Sequence, residues 1–241
     1  MIKRRLDQEL AQRGLTPTRS QSESWIKMGK VTVDGRVVTK PGVVVSDSSK
    51  IELITDEQYV SRAGLKLASV AKILNLDFKD KIVLDVGSST GGFTDYALQH
   101  GAKKVYAVDV GTDQLHPSLH GHPRIELHEK TDIRDFKMSE SPDVVVIDVS
   151  FISLQAILPA VARLCGPHTV IAAMAKPQFE ADAKEVSKGV IKNDTMRRNI
   201  LKRLEQFLRE HFVIVDKADS EVAGAKGNRE RFYLLHLANI R

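Results

Sequence analysis

The chain has 241 residues, 42% of them hydrophobic, with 36 Lys and Arg against 31 Asp and Glu for a formal net charge of +5. That length can bury one sizeable core and leave room for a small appended module. A single cysteine, Cys165, excludes an internal disulfide framework and a multi-cysteine zinc site, and no apolar run approaches the length of a membrane span, so the chain is read as cytoplasmic, without metal and without a membrane partner.

The excess charge is local. Residues 1 to 40 hold nine Lys plus Arg against four Asp plus Glu, and the remainder carries 27 of each sign, the distribution of a small basic module that faces phosphates. Leu6 and Leu10 share one face of a short helix that Gly14 ends, and residues 18 to 28 offer a second helix that Gly29 ends. A hairpin follows, with residues 31–33 and 36–38 as strands and Asp34-Gly35 as the turn; residues 43–45 and 51–54 are expected to continue the same small sheet. The run Arg4-x-Leu6-Asp7, Gly14-Leu15, Thr18-Arg19-Ser20, Ile26, Gly29-x-Val31-x-Val33-x-Gly35 and Lys40-Pro41 resembles an S4 domain, with the domain boundary placed after residue 58. The resemblance implies a small α+β RNA-binding fold whose two helices present Arg4, Arg5, Arg19, Lys27 and Lys30 to RNA phosphates.

Residues 59 to 241 read as an α/β unit. The strand Ile82-Val83-Leu84 runs into Asp85-Val86-Gly87-Ser88-Ser89-Thr90-Gly91-Gly92-Phe93, ahead of an amphipathic stretch from Phe93 to Leu98. A strand, a glycine-rich turn and a helix start form a nucleotide cradle. Ser89 replaces the middle glycine of a dinucleotide fingerprint and an acid precedes the first glycine, which favours S-adenosylmethionine over a nicotinamide. The strand at 104–108 ends at Asp109, whose carboxylate can accept hydrogen bonds from both ribose hydroxyls of an adenosine. A third strand is expected to end at residues 131–134, with Asp132 towards the adenine. The apolar run after Pro142 is typical of a strand buried on both faces and ends at Asp148. Beyond it come a helix at 154–164, a strand at 169–174 ending at Lys176-Pro177, and a helix at 195–212 with apolar residues at 196, 200, 201, 204, 207 and 208. Strands at 213–215 and 232–237 close the unit, with Glu230 just before the last. The cofactor-binding candidates are Asp85, Gly87, Ser88, Ser89, Thr90, Gly91, Gly92, Phe93, Asp109, Asp132 and Asp148.

Lys66, Asp148, Lys176 and Glu230 are the catalytic candidates. Methyl transfer from a sulfonium is an in-line displacement with an activated leaving group, so an enzyme mainly positions the acceptor and removes its proton. A ribose 2′-hydroxyl is a very weak acid and needs a base. A lysine serves as one only in its neutral form, which burial and a neighbouring cation favour and adjacent carboxylates oppose. Lys176 is the expected base, Lys66 the second cation, and Asp148 and Glu230 the orienting carboxylates.

From Ser61 onward the chain resembles the FtsJ-like Rossmann methyltransferases, and as a whole it resembles the TlyA family of ribosomal RNA 2′-O-methyltransferases. The strings Ser61-Arg62-Ala63-Gly64-Leu65-Lys66-Leu67, Asp85 to Thr94, Asp148-Val149-Ser150-Phe151-Ile152-Ser153-Leu154, Lys176-Pro177-Gln178-Phe179-Glu180 and Gly227-Asn228-Arg229-Glu230 carry the match. The resemblance implies cytidine ribose methylation on rRNA in ribosomal particles, with a lysine-aspartate-lysine-glutamate tetrad on the four candidates above. Val190 after Lys188-Gly189 and the absence of proline from 221–225 depart from the family pattern and bear on the loops near RNA. Cytosine C5 methylation needs a cysteine nucleophile, and Cys165 lies past a helix, away from the ligand edge. The competing readings are a membrane-active protein, since members of the family have been labelled haemolysins, with Arg197, Arg198, Lys202, Arg203 and Arg209 towards anionic lipid, and a non-catalytic RNA-binding module.

Overall fold

The computed structural model describes residues 3–16, 19–27, 29–54, 59–186, 189–191, 193–224 and 227–238. The expected helix ends at Thr18 and Met28, residue 58 at the domain boundary, and Lys188 and Ala225 in the variant loops lie outside these. The chain divides into two compact units, Met1–Glu57 and Gln58–Arg241.

In the smaller unit, β1 (Lys3–Arg5) leads into α1 (Leu6–Gln12), and α2 (Arg19–Lys27) precedes β2 (Val31–Val33), β3 (Arg36–Val37), β4 (Val44–Ser46) and β5 (Ile51–Leu53). Leu6 and Leu10 of α1 and Ile26 of α2 are fully buried against Val31, Val45 and Ile51, as their helical spacing predicts. The strands differ from expectation. Both edges of β2 are taken, by β3 and by β5 (Thr32 opposite Glu52), so β4 does not continue that sheet. It pairs antiparallel with β1, Arg4 opposite Val45. No alternating pattern announces β1, because Lys3-Arg4-Arg5 is charged throughout.

Four of the five candidate phosphate contacts are already ion-paired within this unit. Arg5 Nε and Arg19 Nε lie 3.0 and 2.9 Å from the Asp7 carboxylate, Arg4 reaches Glu9 at 3.3 Å and Lys27 reaches Glu23 at 3.6 Å. Their side chains nonetheless stay 33–64% exposed. Lys30 is half-buried, its backbone N–H donating to Trp25 O. Asp7 itself is buried. Burial pushes its carboxyl up, but the hydrogen bonds from Arg5 and Arg19 outweigh it and bring it down to about 2. An acid depressed below its unfolded value contributes stability that is present above pH 3.8 and lost as pH falls towards 2. Asp7→Asn is therefore expected to lower the denaturation midpoint at pH 7 and to blunt the loss of stability between pH 4 and 2, as followed by circular dichroism.

The larger unit is a three-layer α/β fold. Its elements are α3 (Arg62–Ala71), β6 (Ile82–Val86), α4 (Gly92–Gln99), β7 (Lys104–Val108), β8 (Ile125–His128), β9 (Val144–Ile147), α5 (Leu154–Leu164), β10 (Val170–Ala175), α6 (Pro177–Glu180), α7 (Asp194–His211), β11 (Phe212–Asp219) and β12 (Arg231–Leu237). The seven-stranded sheet has the order β11-β12-β10-β9-β6-β7-β8; β8, β7, β6, β9 and β10 are parallel, and β12 runs antiparallel to both its neighbours. Successive side chains of a strand point to opposite faces. Thus Val83, Val144 and Val146 join Leu67, Val70, Phe93 and Tyr96 of α3 and α4, whereas Leu84, Val145 and Ile147 join Leu154, Ile157, Leu158, Leu201, Leu204 and Leu208 of α5 and α7. Both faces are covered, so the strands read as unbroken apolar runs.

Two expectations are corrected here. The third strand ends at His128, not at residues 131–134: Lys130 is left-handed (φ 52°), and Lys130 N and Thr131 N turn back to Gly111 O and Asp109 O beyond the end of β7. Helix α3, which carries Lys66, was not expected from the sequence. The parallel strands finish on one edge, as open α/β sheets do where they bind ligands. Ala175 lies opposite Arg231, so antiparallel β12 begins at that edge and Glu230 sits beside Lys176.

Candidate active site

The cradle forms where β6 stops. Gly87 has φ 82°, and a Cβ there would lie 2.8 Å from the carbonyl oxygen of Asp148, so only glycine lets the turns after β6 and β9 meet. Its N–H, like that of Ser88, donates to Val108 O at the end of the neighbouring strand. At Gly92, an added Cβ would run into Ser61 Oγ and come within 2.7 Å of Ala63 Cβ, which shows how closely the start of α4 approaches α3.

A cavity of about 560 Å³ opens between these turns, within the size range of small-molecule sites. Of the cofactor-binding candidates, Gly87, Ser89, Asp109, Asp132 and Asp148 line it. The others stand around it. Asp85 is fully buried, with Oδ2 accepting the Thr94 hydroxyl at 2.6 Å and Oδ1 without a hydrogen-bond partner among the described residues. Ser88 is buried with its hydroxyl unpartnered, Thr90 O accepts the His116 N–H, Gly91 and Gly92 make the turn into α4, and Phe93 sits in the core against Phe232.

The lining fits an adenosine. Asp109 Oδ2 accepts the Ser89 N–H at 2.8 Å and Oδ1 accepts the Gly111 N–H at 2.7 Å. A carboxylate has about four acceptor sites, so each oxygen retains capacity for a ribose hydroxyl. Val110, Ile133, Val149, Ile152 and Ile157 give the cavity apolar walls for a purine. Asp132 is less available, because the N–H, Nε and Nη2 of Arg134 all bond to its carboxylate. The wall residues and Gln114, which accepts the Ser89 hydroxyl at 3.0 Å, were missed from sequence; apolar residues next to strand-end acids were the available signal.

The four catalytic candidates form two ion pairs. Lys176 Nζ lies 2.6 Å from Asp148 Oδ1, and Lys66 Nζ lies 2.6 Å from Glu230 Oε2. Among the described residues neither carboxylate oxygen has a partner of hydrogen-bond geometry, so these contacts are held by charge and the oxygens keep acceptor capacity. Adjacent strand ends supply Asp148, Lys176 and Glu230, and α3 carries Lys66 to Glu230. Lys176 Nζ also donates to Ser150 Oγ at 2.8 Å, a partner that sequence reasoning did not single out. Next to it, Phe151 is left-handed (φ 66°), 91% exposed and 5.1 Å from the Phe179 ring. A bulky residue rarely adopts that backbone, and such strain clusters at functional sites.

Two family models match the chain: an S4 domain over residues 4–51 and an FtsJ-like methyltransferase over residues 59–237. Among curated proteins, the chain is 38% identical to the 16S/23S rRNA (cytidine-2′-O)-methyltransferase TlyA of Mycobacterium tuberculosis, over 98% of this chain and 91% of that one. It is 40% identical to Hemolysin A of Brachyspira hyodysenteriae, over 96% of this chain and 98% of that one. A solved structure from Streptococcus thermophilus is similar with a TM-score of 0.78 and 36% identity, covering 99% of this chain and 90% of that chain.

Proposed function

The chain belongs to the FtsJ-like methyltransferases and, among them, to the TlyA family, and on that premise we propose that it is an S-adenosylmethionine-dependent 2′-O-methyltransferase acting on a cytidine of ribosomal RNA. The observation that carries this reading is Asp148, which lines the nucleoside-sized cavity and also holds Lys176 at 2.6 Å. One side chain thereby joins the cofactor pocket to the candidate base.

When bound, S-adenosylmethionine supplies a methyl carbon activated by its sulfonium. Asp109 holds the ribose, and Gly87 and Ser89 admit the cofactor close to the backbone. Lys176, as the amine, would take the 2′-hydroxyl proton, the methyl carbon's bond to sulfur breaking as its bond to that oxygen forms so that a neutral thioether leaves, and Asp148 would stabilise the resulting ammonium. The Lys66–Glu230 pair, beside Lys176 at the same strand edge, would contact the acceptor ribose, and the exposed Phe151 ring offers the base a stacking surface. Residues 1–58 serve as the RNA-binding unit, with Arg4, Arg5, Arg19, Lys27 and Lys30 towards phosphates, and residues 59–241 as the catalytic unit. A substrate within ribosomal subunits places the enzyme in the cytoplasm.

The test is to incubate the protein with ribosomal subunits and methyl-labelled S-adenosylmethionine and map the label. A cytidine 2′-oxygen is expected; label on a base, or none on either subunit, overturns the assignment. Asp109→Ala is expected to weaken cofactor binding by about 10- to 100-fold, as loss of hydrogen bonds to a charged group does. Asp132→Ala should cost less, because Arg134 already occupies that carboxylate. Titration calorimetry measures both.

The membrane-active reading finds less in the geometry. Among the described residues no helix is long and apolar enough to cross a membrane. Helix α7 buries Leu201, Leu204 and Leu208 against the sheet and also buries Ile200, so its apolar face is already used. Leakage from anionic vesicles would favour that reading.

A further inference from the structure

Arg197 looks like one more surface charge of α7, yet it is 8% exposed, on the helix side that buries Ile200, Leu201 and Leu204. A guanidinium is rarely buried without specific partners. Its Nε donates to the backbone carbonyl of Arg229 at 2.9 Å, and its Nη2 donates to Asp219 Oδ1 at 2.8 Å. Asp219 Oδ1 also accepts from Arg231 Nε at 2.6 Å. The residues before and after Glu230 are thus tied to one buried anchor, and the Glu230 carbonyl accepts the Ser220 N–H at 3.0 Å.

Side chains alternate along an extended chain. Arg231 turns towards Asp219, and Glu230 turns the other way, to Lys66 at 2.6 Å. The approach to Glu230 borders a polar cavity of about 300 Å³ lined by Pro177, Asn193, Arg197, Asn228 and Arg229, so directed hydrogen bonds carry its position there. On the carboxylate side, a Cβ at Gly224 would come within 2.8 Å of Glu230 Oε1, leaving little space to shift.

We infer that Arg197 and Asp219 form a brace that positions Glu230 against Lys66, making Arg197 a positioning residue for the methyl transfer proposed above. The fork geometry of arginine is required: a lysine retains the charge but cannot donate along two fixed directions to a carbonyl and a carboxylate. Because small displacements of catalytic groups cost about 10²-fold in rate, Arg197→Lys is expected to lower kcat by about 10- to 100-fold with KM for S-adenosylmethionine little changed.

The test combines a crystal structure of cofactor-free Arg197→Lys with a double-mutant cycle. The structure is expected to show the Lys66–Glu230 pair separated beyond ion-pair distance while β12 stays in the sheet. In the cycle, Arg197→Lys added to Glu230→Gln is expected to cost little beyond Glu230→Gln alone, since both act through one carboxylate. Asp219→Asn, which keeps an acceptor for Arg231, reports on the same brace if Arg197→Lys does not fold. An unchanged Lys66–Glu230 contact in a folded variant, or losses that multiply in the cycle, overturns the inference. The crystallographic arm needs no turnover, so failure of the brace is read separately from failure of the methyltransferase assignment.

Discussion

Lys176→Ala is expected to lower the rate of methyl transfer by about 10³-fold, within the 10²–10⁴ that a positioned base contributes, and to leave cofactor affinity within a few-fold. The asymmetry follows from geometry. Lys176 is buried at the end of β10 and touches Asp148 and Ser150, but it does not line the cofactor cavity. Removing it leaves Asp148 without its counter-charge, so part of the loss is electrostatic and has nothing to do with proton transfer. Lys176→Arg separates the two contributions: it preserves a cation beside Asp148 and supplies no base. Single-turnover rates for both variants decide the role. Equal losses identify proton removal as the function of Lys176; a rate near wild type for Lys176→Arg would make it an electrostatic residue and send the search for the base elsewhere.

A second large effect is expected in stability. Burial, with smaller contributions from the nearby Asp148 and Asp109 charges, pushes the Asp85 carboxyl up to about 7 against the pull of the Thr94 hydrogen bond. An acid whose folded-state value is raised binds its proton more tightly when folded. The contribution of this group to stability is therefore largest below the unfolded value of 3.8 and is lost as pH rises through about 7. The full loss is on the order of 4 kcal/mol from this group. Asp85→Asn keeps an acceptor for the Thr94 hydroxyl and removes the titration, so it should flatten the decline and raise the melting temperature most at pH 8. Parallel pH profiles for the two proteins would show that another group titrates. The same burial explains why Asp85 does not reach the cofactor cavity: it supports the turn through Thr94.

Much of the larger unit was legible because its core is simple. Strand β7 and helix α5 match the sequence reading to the residue, since continuous apolar runs and a Ser153-capped amphipathic segment leave few alternatives. Helix α3 was not. Gly64 lies in its first turns, where a helix former would be expected, because a Cβ there would collide with the Tyr59 side chain. The edge carrying Asp109, Asp148, Lys176 and Glu230 could be anticipated, as all four sit next to strand ends. Who pairs with whom could not. The Lys66–Glu230 contact and the partners of Arg197 depend on distant segments; helical spacing puts Arg197, unlike its exposed neighbour Arg198, on the apolar face but does not say what its guanidinium meets there. In the smaller unit β2 to β5 were readable, but the charged β1 and the pairing were not, because pairing is decided by which edges remain free.

The position of β12 between β10 and β11 also bears on how the enzyme is made. Every parallel strand precedes it in the sequence, and among the described residues the cavity is lined by residues before Thr169, whereas Glu230 comes near the end of the larger unit. Domains generally fold as units, so the larger unit is complete only once its last strand has been made. Glu230 can meet Lys66 only when the last strand threads into place between two others. The Lys66–Glu230 pair therefore joins the first helix of the larger unit to the start of its last strand, so a chain that stops short of β12 carries the cavity-lining residues without that pair.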